Sequence, residues 1–129
     1  MAKKKILVID DNADYRFTMG VFLARNGFEV INAENGEIGW KMIKEQHPDL
    51  VLLDVMMEIL FSGFEVCRRV RTDPEVKHIP IIGISGMGNE IGVKFDQVAD
   101  QEYFSPDEYM EKPVDKDALL QKIKALLRM

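Results

Sequence analysis

A short apolar run that ends in an acid constrains the fold of this chain more than any other feature. Residues 50–53 read Leu-Val-Leu-Leu, and Asp54 follows at once. Consecutive apolar residues of this kind predict a strand buried on both faces, as in the interior of a parallel sheet. Ligands of open α/β sheets bind at the carboxyl ends of the strands. We therefore expect Asp54 to lie at the mouth of a site.

A second stretch near the start of the chain repeats this pattern. Residues 6–9 read Ile-Leu-Val-Ile, and they are followed by Asp10 and Asp11. Neighbouring carboxylates repel each other unless a cation or a proton lies between them. Packing alone does not explain two buried strands that both end in acids, so the pattern favours a binding site.

The rest of the chain alternates between short apolar runs and helical periodicity. Further strands are predicted over residues 28–33, 79–84 and 108–111, and Asn12 and Asp115 are predicted to cap the first and last helices. Five strands that alternate with helices predict a parallel sheet covered by helices, with right-handed crossovers. No linker or low-complexity segment interrupts the 129 residues, which we expect to form one domain.

The composition argues against several classes of protein. The net charge of −5 disfavours direct binding to nucleic acid, which needs clustered lysine and arginine. The single cysteine, Cys67, permits no internal disulfide, and no group of cysteines and histidines suggests zinc. The sequence has neither a signal-peptide core nor an apolar run long enough to span a bilayer. We therefore expect a cytoplasmic protein without membrane insertion.

The predicted topology can bring the ends of strands one, three, four and five together. These ends carry Asp10 and Asp11, Asp54, Ser85 and Lys112, respectively. Three carboxylates offer the oxygen ligands that Mg²⁺ takes together with water and phosphate oxygens. Lysine adds a positive charge and serine a hydroxyl donor for an anion. The residues therefore indicate a phosphoryl group beside Mg²⁺, with a carboxylate as the attacking group.

These strand ends resemble the receiver domain of two-component response regulators. The matching pieces are Asp10-Asp11, Asp54, Ser85 and the pair Lys112-Pro113, each after its own strand and in the family's order. The resemblance covers nearly the whole chain. It implies a flavodoxin-like, doubly wound (βα)5 sandwich with a five-stranded parallel sheet in the order 2-1-3-4-5. It also implies a cis peptide bond before the proline.

The resemblance implies a role for each acid at the site. Asp54 would accept a phosphoryl group from a histidine kinase or a phosphotransfer protein. Asp10, Asp11 and Asp54 would hold Mg²⁺ with help from the backbone carbonyl of Met56. Lys112 would bind the phosphoryl oxygens, as would the hydroxyl of Ser85.

The resemblance also implies how a signal leaves the site. Ser85 and Tyr109 match the family's switch pair, in which the hydroxyl moves toward the phosphoryl group and the aromatic side chain follows it. The segment between Ser85 and Lys112 is longer than usual, so we expect a short, displaced or irregular fourth helix and an ordering of residues 86–107 on phosphorylation. This region belongs to the family's output face. The downstream protein target is therefore unknown, and a homodimer through this face stays open.

Four functions are compatible with a fold of this class. A flavin or nucleotide carrier would need a phosphate cradle after strand one, where Asp10 and Asp11 stand instead. A hydrolase with an aspartyl nucleophile would need an acid or base, which Met56 cannot supply. The favoured function is a phosphorylation-dependent signalling switch, not a dedicated enzyme. We expect it to act without an output domain after the last helix, as a stand-alone receiver or as an intermediate in a phosphorelay. The alternative is a receiver-like docking module that works without phosphorylation.

Overall fold

The structure is a computed structural model that describes residues 3–54, 61–85 and 107–129, with only the backbone described for 61–64 and 85. The described part of the chain contains five strands and four helices, which alternate as far as the fourth strand. The strands are β1 (Lys5–Ile9), β2 (Glu29–Ala33), β3 (Leu50–Asp54), β4 (Ile81–Ser85) and β5 (Glu108–Glu111). The helices are α1 (Ala13–Arg25), α2 (Gly36–Gln46), α3 (Phe61–Thr72) and α4 (Lys116–Leu127).

The strands form one parallel sheet in the order β2-β1-β3-β4-β5. This is the order that the sequence predicted, in a flavodoxin-like fold. The register places Ile9 beside Leu53 and Asp54 beside Ile84. The carboxyl ends of β1, β3 and β4 therefore lie at the same edge of the sheet.

The sheet separates two apolar layers. Leu7 and Ile9 of β1 belong to a core with residues of α2 and α3, whereas Ile6 and Val8 belong to a second core with residues of α1 and α4. β3 is buried along its whole length. Both predicted interior strands are confirmed, because apolar side chains on alternate faces each meet a layer of helices.

Side-chain caps fix where the helices begin. Asn12 accepts a hydrogen bond from the Tyr15 N–H ahead of α1, and Asp115 accepts from the N–H groups of Asp117 and Ala118 ahead of α4. Both predicted caps are confirmed. They satisfy N–H groups that have no partner inside the helix. The α1 cap holds the helix directly after Asp10 and Asp11, beside the acidic strand end.

The fourth strand begins later than the sequence predicted. It starts at Ile81 rather than Ile79, because Pro80 has no N–H to donate to the strand ladder. Ile79 is still buried, and the Pro80 carbonyl accepts from the N–H of Val51. The strand end that matters for the site, Ser85, is where the sequence predicted it.

The irregular helix that was predicted between β4 and β5 lies almost entirely outside the described residues, as does the predicted ordering of residues 86–107. Both stay predictions. None of the helices in the described part has the length and apolar character needed to cross a bilayer.

Candidate functional site

Asp10 and Asp54 come together because their strands are neighbours. β1 and β3 pair directly, and each acid lies at or just after the carboxyl end of its strand. Both carboxylates are buried, with exposed fractions of 1% for Asp10 and 5% for Asp54. Burial of a charged group costs on the order of several kcal/mol for each ion, unless neighbouring groups compensate the charge. Compensating positive charge is therefore needed beside this pair.

Asp11 completes a cluster of three acids with oxygen ligands only. One carboxylate oxygen from each of Asp10, Asp11 and Asp54 lies within 4.8 Å of the other two. Asp11 is exposed, so water can reach the cluster from its side. A hard cation such as Mg²⁺ prefers oxygen ligands and keeps several waters. The donor set and its open side therefore fit a magnesium ion, as the sequence predicted.

Lys112 supplies positive charge to the buried pair. Its Nζ donates to Asp10 Oδ2 at 2.9 Å and lies 3.7 Å from Asp54 Oδ2. Lys112 directly follows β5, and the peptide bond to Pro113 is cis, as the resemblance implied. The ammonium group therefore reaches both buried carboxylates from the far end of the chain.

Asp10 is held at three points. Its Oδ1 accepts from the N–H of Asn12 at 2.9 Å, and Lys112 occupies its Oδ2. Its carbonyl oxygen accepts from Arg16 Nη1 at 2.6 Å. These bonds fix the orientation of the carboxylate, because both of its oxygens have a donor.

Tyr15 of α1 lies against this site, although its spacing from Met19 and Leu23 alone indicates only a residue on the inner face of a helix. The centre of its ring is 4.2 Å from Lys112 Nζ, in the geometry of a cation–π contact. Burial, and then the negative charges of Asp10 and Asp54, raise the pKa of Tyr15 well above its usual value. The local sequence carries no signal for this contact, because Lys112 lies near the other end of the chain.

The remaining predicted site residues are only partly described. Ser85 ends β4 beside Glu111 of β5, and only its backbone is described. Tyr109 lies in β5 opposite Gly83, with 38% of its surface exposed. Met56 lies outside the described residues. The structure therefore brings together Asp10, Asp11, Asp54 and Lys112, and the roles of the others stay predictions.

This chain is similar in sequence to proteins of one family. Residues 6–124 match the family model described as "Response regulator receiver domain". Protein PilH of Pseudomonas aeruginosa is 33% identical over 123 residues, which are 95% of this chain and 97% of that protein. The transcriptional regulatory protein AfsQ1 of Streptomyces coelicolor is 38% identical over 123 residues, again 95% of this chain. The chain spans about half of AfsQ1, or 51% of its length.

A solved structure shares the fold over the whole length. It is described as a response regulator from Chloroflexus aurantiacus, and it superposes with a TM-score of 0.85 at 26% sequence identity. The similarity covers 99% of this chain and 100% of that one. The likeness in fold therefore extends over nearly the whole length of both chains.

Proposed function

Because the chain belongs to the response regulator receiver domain family, we propose that it is a switch controlled by phosphorylation of Asp54. The domain is a signalling module of two-component systems rather than a dedicated enzyme. The proposed donor is a histidine kinase or a phosphotransfer protein. The observation that carries the proposal is the buried Asp10–Asp54 pair with the Lys112 ammonium within 3.7 Å of both carboxylates.

The proposed reaction transfers a phosphoryl group to the Asp54 carboxylate. One oxygen of the carboxylate attacks the phosphorus atom, and a new oxygen–phosphorus bond forms. The bond from phosphorus to the donor nitrogen of a phosphohistidine breaks, and that nitrogen keeps the electron pair. The neighbouring sheet strands hold Asp54 in place, which favours attack from a fixed direction.

Lys112 and a cation held by the acids would balance the negative charge of the incoming group. Negative charge builds up on the phosphoryl oxygens during transfer, and an ammonium group near Asp54 stabilises it. Asp10, Asp11 and Asp54, with the carbonyl of Met56, would hold Mg²⁺. When bound, the ion would neutralise charge on the phosphoryl oxygens. Lys112 would remain as the protein's own positive charge at that position.

Ser85 and Tyr109 are the proposed route by which the signal reaches a partner. Ser85 ends β4, whose neighbour β5 carries Tyr109. Tyr109 lies opposite Gly83 of the neighbouring strand, and 38% of its surface is exposed. We expect the hydroxyl of Ser85 to bind a phosphoryl oxygen and the ring of Tyr109 to change its rotamer in response.

The partners follow from the same proposal. They are a histidine kinase or phosphotransfer protein upstream and an unidentified protein downstream, with no direct contact to nucleic acid. The cytoplasmic location, the single domain over residues 1–129 and a homodimer stay predictions.

Intact-mass measurement after incubation with acetyl phosphate and Mg²⁺ tests the proposal. We expect one added phosphoryl group in the wild-type protein. Asp54→Asn and treatment with EDTA should each prevent it. Labelling that persists in both cases would contradict the proposal. A wild-type protein that takes no label from acetyl phosphate or from any phosphorylated donor would favour the alternative, a docking module that works without phosphorylation.

A further inference from the structure

The hydroxyl of Tyr15 is a buried polar group that lacks a hydrogen-bond partner in the part of the chain that the structure describes. Buried hydroxyl groups in native proteins are almost always paired, and an unpaired one costs free energy because it has lost its water. A phenylalanine would fill the same space without this cost. Packing therefore explains the ring of Tyr15 but not its hydroxyl.

The surroundings of Tyr15 connect the hydroxyl to the acidic cluster. The ring lies against the Lys112 ammonium, which itself contacts Asp10 and Asp54. The charges of both acids act on the Tyr15 hydroxyl, and they help to raise its pKa. The group therefore stays protonated, so it can donate a hydrogen bond to an anion near Asp54.

We propose that the Tyr15 hydroxyl donates a hydrogen bond to an oxygen of the phosphoryl group carried by Asp54. This inference rests on the proposed function and adds a binding residue to it. A phosphoryl group brings three strong acceptor oxygens to a place where the described neighbours of Tyr15 include the Lys112 ammonium and the carboxylates of Asp10 and Asp54. The phosphoryl group then gives the hydroxyl the partner that it lacks among the described residues.

The oxygen of the Tyr15 hydroxyl should affect the stability of the free protein and of the phosphorylated protein in opposite directions. In the free protein we expect the hydroxyl to destabilise the fold, since it is buried and has no hydrogen-bond partner in the described part of the chain. In the phosphorylated protein it stabilises the modified site, because a hydrogen bond to a charged oxygen is among the stronger ones in proteins. Removal of the oxygen should therefore have opposite effects on the two states.

Tyr15→Phe tests the inference, because it removes the hydroxyl and keeps the ring against Lys112. In urea unfolding without metal, we expect the variant to be as stable as the wild-type protein or more stable. With Mg²⁺, beryllofluoride serves as the phosphoryl mimic. We expect its affinity to fall about tenfold or more, the scale of one hydrogen bond to a charged group. The acyl phosphate formed from acetyl phosphate should also hydrolyse faster.

Tyr15→Leu is the matched variant, because it removes the ring as well. It should lose the contact with Lys112 in addition, and bind beryllofluoride more weakly than Tyr15→Phe does.

The inference is overturned if Tyr15→Phe is less stable than the wild-type protein and binds beryllofluoride equally well, since the hydroxyl is then a structural group. It is also overturned if the two proteins are indistinguishable in both measurements. In either case a wild-type protein that is phosphorylated on Asp54 leaves the proposed function intact. A wild-type protein that takes no phosphoryl group and no beryllofluoride contradicts both proposals.

Discussion

The Lys112 ammonium lies closer to Asp10 than to Asp54, at 2.9 Å against 3.7 Å. Asp10 Oδ1 is already bonded to the N–H of Asn12, so both of its oxygens have a donor. A divalent cation that binds Asp10 must therefore share an oxygen with one of these donors or displace it. The lysine and the cation have the same sign, and they compete for the same carboxylate.

This competition predicts that Lys112→Met binds Mg²⁺ more tightly than the wild-type protein. Removal of one like charge within a few ångströms is worth about 1 kcal/mol or more, or roughly a fivefold gain in affinity. Phosphorylation by acetyl phosphate should nevertheless become slower, because Lys112 no longer stabilises the phosphoryl oxygens. Titration calorimetry and the rate of mass gain measure the two effects.

Lys122→Met is the control for this experiment. Lys122 forms an ion pair with Glu108 at 2.9 Å, and neither residue belongs to the acidic cluster. Its loss should change neither Mg²⁺ affinity nor the rate. Equal Mg²⁺ affinities in Lys112→Met and the wild-type protein would argue against competition at Asp10.

Removal of the exposed acid of the cluster should weaken the effect of Mg²⁺ on stability. A ligand that binds only the native state raises the melting temperature by mass action. Millimolar Mg²⁺ should therefore raise the melting temperature of the wild-type protein more than the melting temperature of Asp11→Ala. Asp14→Ala is the control, since Asp14 is an exposed acid in the first turn of α1 that is absent from the cluster. Equal shifts in wild type and Asp11→Ala would speak against a metal site here.

Gly39 is expected to resist substitution because α2 packs tightly on the sheet there. A Cβ at residue 39 would lie 2.9 Å from Ile9 Cγ1 and closer still to Cδ1 of the same side chain. Gly39→Ala should therefore destabilise the protein by about 1–3 kcal/mol through overpacking. Urea unfolding followed by circular dichroism measures the change.

Gly20 in α1 is the matched control for that substitution. The nearest atom to a Cβ there is Val30 Cγ1 at 3.7 Å, an ordinary contact. Gly20→Ala should be neutral or should stabilise the protein by up to about 1 kcal/mol, because alanine favours the helix. The same loss of stability in both variants would show that crowding against Ile9 is not the cause.

The ion pair between Lys44 in α2 and Asp73 after α3 should make stability depend on acid pH. Lys44 Nζ donates to Asp73 Oδ2 at 2.7 Å, and this bond is the main cause that lowers the pKa of Asp73 below its usual value. Such a group adds stability above the unfolded pKa and loses it as the pH falls through the folded pKa. The free energy of unfolding of wild type should thus fall more steeply below about pH 4 than that of Asp73→Asn.

Urea unfolding between about pH 3 and pH 7 tests this difference. Asp73→Asn keeps a side-chain oxygen for the N–H of Glu75, so the comparison isolates the charge. The pair is partly exposed, and added salt should reduce the difference because it screens such charges. Parallel pH profiles for the two proteins would contradict the prediction.

The features that the sequence could predict are those encoded by local pattern. β1 and β3 are apolar runs that end in acids, and the caps Asn12 and Asp115 are short polar side chains before helical periodicity. Strands that end in acids also revealed three members of the cluster. Each signal lies within a few residues of the feature that it specifies, so it can be recognised without the tertiary structure.

Contacts between distant residues that neither the strand topology nor the family resemblance indicates could not be predicted. Tyr15 reads as an ordinary core residue, because its contact with Lys112 joins opposite ends of the sequence. The ion pair of Arg71 with Asp107 likewise ties α3 to the start of β5, where Asp107 also accepts from the Ile81 N–H. Local periodicity contains no information about such pairs, since the fold alone brings them together.

The position of Lys112 in the chain has a consequence for synthesis on the ribosome. Asp10, Asp11 and Asp54 all emerge early, and Lys112 follows Asp10 by 102 residues. A nascent chain that has paired β1 with β3 therefore carries the acids side by side before their lysine has been made. During that interval a cation or a proton from solution must balance their charge, so Mg²⁺ in the surrounding medium should help the first half of the sheet to form.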